Sequence, residues 1–389
     1  MIRITDPKRC CGCSACMAIC PHDAITMKCD ILGFPYPEVD TERCVDCGLC
    51  EKVCRFARQD EAPMDKENLE IEAFAAVHND AEVLGRSQSG GAFTALSDLI
   101  LDEGGVVYGA VFDGPERVCH KRAETVLQRN RMCGSKYVQS DMGDVFRLVR
   151  DDLKSGRKVM FTGTPCQVAG LKSFLPDSLC KGLVLVDFVC HGVPSPAVWA
   201  DYVGYMGRYG HVVKASFRDK EAGGWKRHVE SFIYADGSKK TSETFRILFH
   251  KNIMLRHSCA VCPYDISRHL SDITIGDFWG VDEICPSIDG DAGVSMVVCN
   301  TPAGNALIEM ASGALELHSA VLESDFMKRC KPNLLCPAKM YKDRAAFETE
   351  FARGRFVRVA RRWSDMGIKY RLWQLKHWLL TDFTRIKRK

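Results

Sequence analysis

The stretch Cys10-Cys11-Gly12-Cys13-Ser14-Ala15-Cys16-Met17-Ala18-Ile19-Cys20-Pro21 decides how the first part of the chain folds. Its spacing, Cys-x-x-Cys-x-x-Cys-x-x-x-Cys, returns as Cys44, Cys47, Cys50 and Cys54. Each of these lies 34 positions after its counterpart, so the segment is an internal duplication. Small or acidic residues stand in the turns of both copies: Gly12, Ser14, Asp46 and Gly48. Turns of that kind let backbone N–H groups point at sulfur. The copies differ in that Arg55, not proline, follows the second one.

The whole chain has 389 residues and 21 cysteines. With 46% hydrophobic and 26% charged residues it has the balance of a folded globular protein rather than a disordered one. The segment from Met1 to Cys10 has no apolar stretch of the kind that opens a secretory signal. No run approaches the roughly 18 apolar residues of a membrane span. A cytoplasmic setting is therefore expected, where thiols stay reduced, and metal ligation rather than a disulfide framework accounts for the cysteines. The net charge of +3 hides an asymmetry. From Lys342 onward there are 14 Lys and Arg against 5 Asp and Glu, leaving 39 basic and 45 acidic residues in the rest of the chain.

The doubled cysteine run resembles the two-cluster bacterial ferredoxins. Three cysteines two residues apart can wrap three corners of one iron–sulfur cube. The fourth lies beyond a helical turn, faces away and serves the other cube. One 4Fe–4S cluster is thereby assigned to Cys10, Cys13, Cys16 and Cys54, and the other to Cys44, Cys47, Cys50 and Cys20. Zinc sites would account for Cys-x-x-Cys pairs but not for the doubled eight-cysteine pattern. Cys11 and Cys29 fall outside it and read as bystanders. A module of residues 1–58 has little core of its own, so the clusters are expected to hold it together.

Residues 59–72 are acidic with one proline and read as a solvated linker or exposed helix. Beyond them helical and strand patterns alternate. Ala73–His78, Val106–Phe112, Lys158–Thr162 and Leu183–Val189 read as strands; Gly91–Glu103 and Met142–Ser155 read as helices. Phe217–Arg218 and Val229–Tyr234 suggest antiparallel strands with Asp236-Gly237 as a turn. The fold class is α+β: a bacterial ferredoxin-like domain, a larger α/β domain over 73–340, and a basic helical tail over 341–389.

Local segments in the larger domain carry candidate chemistry. Ser87-Gln88-Ser89-Gly90-Gly91 precedes a helix, whose N-terminus attracts phosphate, although such turns also cap helices routinely. Lys136-Tyr137-Val138-Gln139-Ser140 sets a cation and an aromatic ring beside hydroxyls. Gly163-Thr164-Pro165-Cys166-Gln167 follows a strand, where ligand loops of open α/β sheets sit. Cys190 closes another strand-like run. Cys166, Cys190, Cys259 and Cys262 make a third candidate set of four, with zinc or plain buried thiols as the competing readings on spacing alone.

Six segments occur in order: Ser-x-Ser-Gly-Gly at 87–91, Lys-Tyr-x-x-Ser at 136–140, Gly-Thr-Pro-Cys-Gln at 163–167, Cys-His-Gly-Val-Pro-Ser-Pro at 190–196, Cys-x-x-Cys-x-Tyr at 259–264, and Asp-Ile-Thr-Ile-Gly-Asp-Phe-Trp-Gly at 272–280. Together they resemble the beta-subunit family of coenzyme F-420-reducing hydrogenases and dehydrogenases, over roughly residues 82–335. The resemblance implies FAD and one 4Fe–4S cluster in this domain. Cys166, Cys190, Cys259 and Cys262 match the cluster cysteines, and Ser87, Ser89, Gly90, Gly91, Lys136, Tyr137, Ser140, Gly163 and Thr164 match the segments around the flavin. Cys119, Cys133, Cys180, Cys285, Cys299, Cys330 and Cys336 read as core thiols, with a position near the flavin as the alternative for Cys133.

The implied function is an iron–sulfur flavoprotein oxidoreductase. Electrons would run between the two N-terminal clusters, the third cluster and FAD, with a deazaflavin or other two-electron organic substrate at the flavin. Lys136 is a candidate to stabilise reduced flavin, against a surface ion pair. Asp277 and His191 are candidate proton donors, against a turn-capping role for Asp277 and support of the cluster loop for His191. The alternative function is an electron-transfer subunit that serves a partner reductase, hydrogenase or ferredoxin without a substrate of its own. An iron–sulfur sensor is a third, non-enzymatic reading. Ile368, Leu372, Leu375, Leu379, Phe383 and Ile386 form an apolar stripe among basic residues. Self-packing, an acidic partner and peripheral contact with an anionic membrane are the expectations for it. No nucleic-acid recognition motif accompanies the basic charge.

Overall fold

The computed structural model describes residues 1–56, 70–288, 290–354 and 356–364. In chain order the strands are β1 Ile25–Cys29, β2 Pro35–Val39, β3 Glu70–His78, β4 Val106–Phe112, β5 Val118–Ala123, β6 Val159–Gly163 and β7 Leu183–Phe188. They continue as β8 Val212–Ser216, β9 Glu230–Tyr234, β10 Lys239–Ser242, β11 Ile273–Asp277, β12 Ser295–Cys299 and β13 Leu315–Glu323.

In the N-terminal module β1 and β2 pair as a hairpin. Two short helices, Ala15–Ile19 and Leu49–Val53, each start immediately after a residue in the left-handed conformation, Ser14 and Gly48. Gly12 and Asp46, two positions earlier, are left-handed as well. The duplication in sequence is thus a duplication in backbone: positions 12 and 46, and 14 and 48, adopt the same rare geometry 34 residues apart. Ser14 and Asp46 do so at a cost of about 1–2 kcal/mol each, since their side chains crowd the backbone there.

Eight strands form the main sheet in the order β13-β3-β12-β11-β7-β6-β4-β5. The central four, β11, β7, β6 and β4, run parallel, and the flanking pairs are antiparallel. Buried on both faces, the parallel strands read as apolar runs, and all five residues of β6 are buried. The strand expected at 106–112 is present with those bounds, and those expected at 158–162, 183–189 and 73–78 are present within three residues. β3 begins at Glu70, so the last three residues of the expected linker are strand; the rest of it lies outside the described residues. The antiparallel strand expected at Phe217–Arg218 lies earlier, as β8, which ends at Ser216 and pairs with β9; Phe217 and Arg218 are buried just beyond its end. β8, β9 and β10 form a separate three-stranded sheet, with Asp236 and Gly237 in the turn between β9 and β10.

The N-terminal module does not rest on its clusters alone. Ile2, Ala15, Ala18, Ile25 and Val53 share one core with Val145, Phe146, Val149, Val168 and Leu171 of the main domain. Leu32 and Phe34 enter a second core around Trp199, Tyr202, Phe217, Phe232 and Phe245. The turn of the hairpin is fixed there as well, with Ser195 Oγ donating to Leu32 O at 2.6 Å. Arg147 donates to the carbonyls of Met17, Ala18 and Cys20 and to Asp23, so a main-domain cation closes the end of the first module helix. Phe347, Phe351, Phe356, Val359 and Trp363 are buried in the aromatic core. The beginning of the expected basic tail therefore belongs to the body, and the apolar stripe from Ile368 to Ile386 lies outside the described residues. Among the described residues no helix is long and apolar enough to cross a membrane.

Candidate functional site

The eight cysteines of the duplicated run separate into two groups of four. Cys16 feels the neighbouring thiols of Cys13, Cys10 and Cys54, and burial pushes its own thiol well above the ordinary range. Cys20 instead lines a small cavity with Cys44, Cys47 and Cys50. The fourth cysteine of each copy thus sits with the first three of the other. Backbone N–H groups are aimed at the sulfurs: Gly12 at Cys10, Ala15 at Cys13, Ile2 at Cys50 (3.3 Å) and Ala24 at Cys20 (3.4 Å). The left-handed turns at positions 12 and 14 are what rotate the amides of the first copy inward.

Cys166, Cys190, Cys259 and Cys262 come from separate points of the chain and converge. Cys190 lies within electrostatic reach of the other three. Cys166 stands at the start of the helix Pro165–Phe174, directly after β6, where the capping pair Thr164 and Gln167 fixes the turn. Cys190 follows β7, and Gly192, at φ 119°, turns its amide toward the Cys190 sulfur. Cys259 and Cys262 lie on and beside the short turn His257–Val261, where the Val193 amide donates to Cys259 Sγ at 3.4 Å. A cube carries its four cysteines on four different iron atoms, so its sulfurs stand apart, whereas zinc gathers its ligands about one point. Among the described residues no three Cys, His, Asp or Glu side chains close on a single metal ion.

Cys11, a bystander by spacing, lies between two of the cysteine groups. It is fully buried and reaches both Cys13 of the first group and Cys166 of the third. The two groups therefore adjoin through one thiol. Gly170 lies so close to the module that a Cβ there would stand 2.7 Å from Cys13 Sγ, so only glycine lets the helix from Cys166 approach.

A cavity of about 610 Å³ opens at the carboxyl end of the parallel strands. Ala110 of β4, Thr162 and Gly163 of β6, Phe188 of β7, and Ile275, Gly276 and Asp277 of β11 all contribute to its wall, the place where open parallel sheets hold ligands. Ser87, Ser89, Gly91, Lys136, Tyr137, Ser140, Gly163, Thr164, His191 and Asp277 line it, and so do Cys133 and Cys190. Gly90 does not line it. A Cβ there would stand 2.0 Å from Ala76 O and 2.5 Å from Ser295 N, so this glycine seats the loop against β3 and β12.

The three candidate catalytic side chains are all engaged. Lys136 Nζ makes no ion pair among the described residues; it donates to the carbonyls of Arg131, Met132 and Cys133 at 3.2, 2.7 and 2.9 Å. Burial pushes this ammonium down to about 7, while the three carbonyls hold its proton in place. The Asp277 carboxylate pairs with Arg218 at 2.5 Å and accepts from Trp225 Nε1 at 2.9 Å. His191 stands between Asn252 Oδ1 and Asn333 Oδ1. Asn252 Nδ2 donates to Lys339 O, which leaves Asn252 Oδ1 to face His191 Nε2.

Arg218, His228, His250 and Lys331 also line the cavity, and no local motif in the sequence marks them; Trp279, from the segment at 272–280, lines it as well. His120 Nδ1 and His228 Nε2 have no hydrogen-bond partner among the described residues. Buried polar atoms of that kind are costly unless a ligand or water meets them. His120 Nε2 donates to Thr162 O at 2.8 Å, and burial pushes the imidazole down to about 4. The sign follows from linkage. Above pH 6.5 the ring is neutral in both folded and unfolded chains; between 6.5 and 4 only the unfolded chain takes up the proton, so stability falls as pH falls through that window. The loss amounts to at most about 3 kcal/mol. Urea midpoints at pH 7 and pH 5 are expected to differ less in His120→Gln than in the parent; equal differences would remove His120 from the acid response.

Residues 9–57 match the 4Fe-4S dicluster domain model, and residues 156–323 match the model for the C terminus of the beta subunit of coenzyme F420 hydrogenase/dehydrogenase. An uncharacterized protein of Methanocaldococcus jannaschii is 27% identical over 206 residues, which cover 44% of this chain and 54% of that protein. The chain thus spans about half the length of this curated relative. A chain of the F420-reducing NiFe hydrogenase complex from Methanosarcina barkeri aligns with a TM-score of 0.47 and 20% identity, covering 77% of this chain and 93% of that one. Residues 9–57 are thus similar to 4Fe-4S dicluster domains, and residues 156–323 to the C terminus of the coenzyme F420 hydrogenase/dehydrogenase beta subunit.

Proposed function

We propose that the chain is an iron–sulfur flavoprotein oxidoreductase with three 4Fe–4S clusters and FAD. The reading assigns the first cluster to Cys10, Cys13, Cys16 and Cys54, and the second to Cys20, Cys44, Cys47 and Cys50. The third is assigned to Cys166, Cys190, Cys259 and Cys262. The observation that carries it is the double position of Cys190, which belongs to the third group and to the wall of the 610 Å³ cavity. On the other side of that group, Cys11 touches both Cys13 and Cys166. Continuity from the first group to the cavity is what a wire requires.

The cavity is suited to a flavin by size and lining. Its unpartnered His120 Nδ1 and His228 Nε2 supply polar contacts, and Tyr137 and Trp279 supply ring faces. When bound, a flavin interconverts two-electron and one-electron chemistry. Around it Lys136 would present positive charge when protonated, and Gln167, which donates to Ser140 Oγ at 3.1 Å, would hold the Thr164 turn. The Asp277–Arg218 pair favours a fixed electrostatic role over proton donation. His191, clamped by two asparagines, favours support of the loop that carries Cys190. Candidate substrates are a deazaflavin or another small organic molecule that exchanges two electrons.

At the far end, Cys47 is exposed and is flanked by exposed Val45 and Leu49. A redox partner protein, such as a ferredoxin, a hydrogenase or a reductase, would exchange electrons there. Protein purified without oxygen is expected to contain about twelve irons, about twelve sulfides and one flavin per chain. Eight irons without flavin would contradict the reading of the main domain and leave a two-cluster relay.

A further inference from the structure

Arg256 is wholly buried, and its guanidinium lies where the first and third cysteine groups meet. Nε donates to Cys10 O at 2.8 Å, Nη1 to Gln139 Oε1 at 2.9 Å and Nη2 to Pro35 O at 2.9 Å. Nη2 also points at Cys10 Sγ, 3.6 Å away. Its backbone is tied to the third group: Arg256 N donates to Val193 O, and Cys259 N donates to Arg256 O. Tyr36 and Phe34 cover the cation, with ring centres 4.3 and 5.4 Å from the guanidinium carbon.

Among the described residues Arg256 forms no ion pair with a carboxylate. A buried, unpaired guanidinium is strongly destabilising unless an anion compensates it. The groups its charge acts on include the sulfurs of Cys10 and Cys13 in the first group and of Cys166 and Cys259 in the third. Arg344, the other buried cation near Cys259, is paired with Glu348 at 2.7 Å and so carries its own counter-ion.

We propose that Arg256 is a potential-setting residue: its buried guanidinium serves as counter-ion to the cluster held by Cys10, Cys13, Cys16 and Cys54, and raises that cluster's reduction potential. The inference rests on the cluster assignment proposed above. Adding one electron to the cluster adds one negative charge beside a fixed positive one that stands 3.6 Å from a ligand sulfur, and hydrogen bonding and charge at sulfur are what set such potentials. The electron is thereby favoured on the module's inner cluster, next to the third. The outer group of Cys20, Cys44, Cys47 and Cys50 takes no hydrogen bond from Arg256 and acts as an internal reference.

The test is an anaerobic redox titration of the full-length holoprotein, followed by electron paramagnetic resonance, with Arg256→Met and Gln139→Glu beside the parent. In Arg256→Met the equilibrium constant for reducing one cluster is expected to fall by at least about tenfold, which is about 59 mV for one electron. The outer cluster is expected to keep its potential. Gln139→Glu is nearly isosteric and sets a carboxylate against Nη1, so it is expected to lower the same potential with the arginine still in place. If Arg256→Met fails to hold its iron, Gln139→Glu decides. Unchanged potentials in an iron-replete variant would overturn the inference. Absence of the first cluster from the parent would instead overturn the assignment on which it rests.

Discussion

Alanine at position 190 is expected to take about four of the twelve irons out of the protein while leaving the eight of the N-terminal module. Cys190 belongs both to the third group and to the cavity wall. Its loss leaves Cys166, Cys259 and Cys262 without a fourth corner. It also separates the cavity from the module, so reduction of the module is expected to persist while reduction of the flavin from that side is lost. Iron and sulfide counts together with the visible spectrum read the first effect; rapid mixing with a reduced one-electron donor reads the second. Twelve irons in Cys190→Ala, or unaltered flavin reduction, would exclude Cys190 as a ligand of the wire.

Gly90→Ala is expected to be strongly damaging. The new carbon would stand 2.0 Å from Ala76 O and 2.5 Å from Ser295 N, and these are backbone atoms of paired strands that cannot rotate away. A close clash of this type costs about 3 kcal/mol or more. Gly90 O accepts from His78 N at 2.8 Å, so the displaced loop drags the end of β3 with it, and Ser87 and Ser89 move in the cavity wall. Loss of bound flavin and a lower melting temperature are expected together. Gly85 supplies the control. It lies in the helix Ala81–Arg86 with nothing within 4 Å of its added carbon, so alanine there is expected to be neutral or to stabilise by up to about 1 kcal/mol. Equal stability in the two variants would remove the steric account.

The features legible in sequence are those written as a local period. The cysteine spacing of residues 10–54 carries the backbone duplication, and the crossed grouping of Cys20 and Cys54 follows from a helical turn that points the fourth cysteine away. The strands β4, β6 and β7 are legible because burial on both faces makes each a continuous apolar run. The convergence of Cys166, Cys190, Cys259 and Cys262 has no local period, since the fold alone brings distant segments together, and only the resemblance of ordered motifs points to it. Arg256 gives no signal except its place three residues before Cys259. Cys11 breaks the spacing and so looks idle, yet its contacts span two modules. The three catalytic candidates are nameable by residue type, but their partners come from elsewhere in the fold: Arg218 and Trp225 for Asp277, Asn252 and Asn333 for His191, and the carbonyls of 131–133 for Lys136. The core that absorbs Leu32 and Phe34 is also hidden, because a module of that size looks self-contained until the apolar side chains facing outward are seen to enter a neighbour.

The central claim is that three four-cysteine groups, not two, hold iron in line with the cavity. An anomalous-scattering map at the iron absorption edge, from crystals grown without oxygen, tests it most directly. The account predicts three separate iron peaks: one among Cys10, Cys13, Cys16 and Cys54, one among Cys20, Cys44, Cys47 and Cys50, and one among Cys166, Cys190, Cys259 and Cys262. Two peaks confined to the N-terminal module, with no iron beside Cys190, would contradict it.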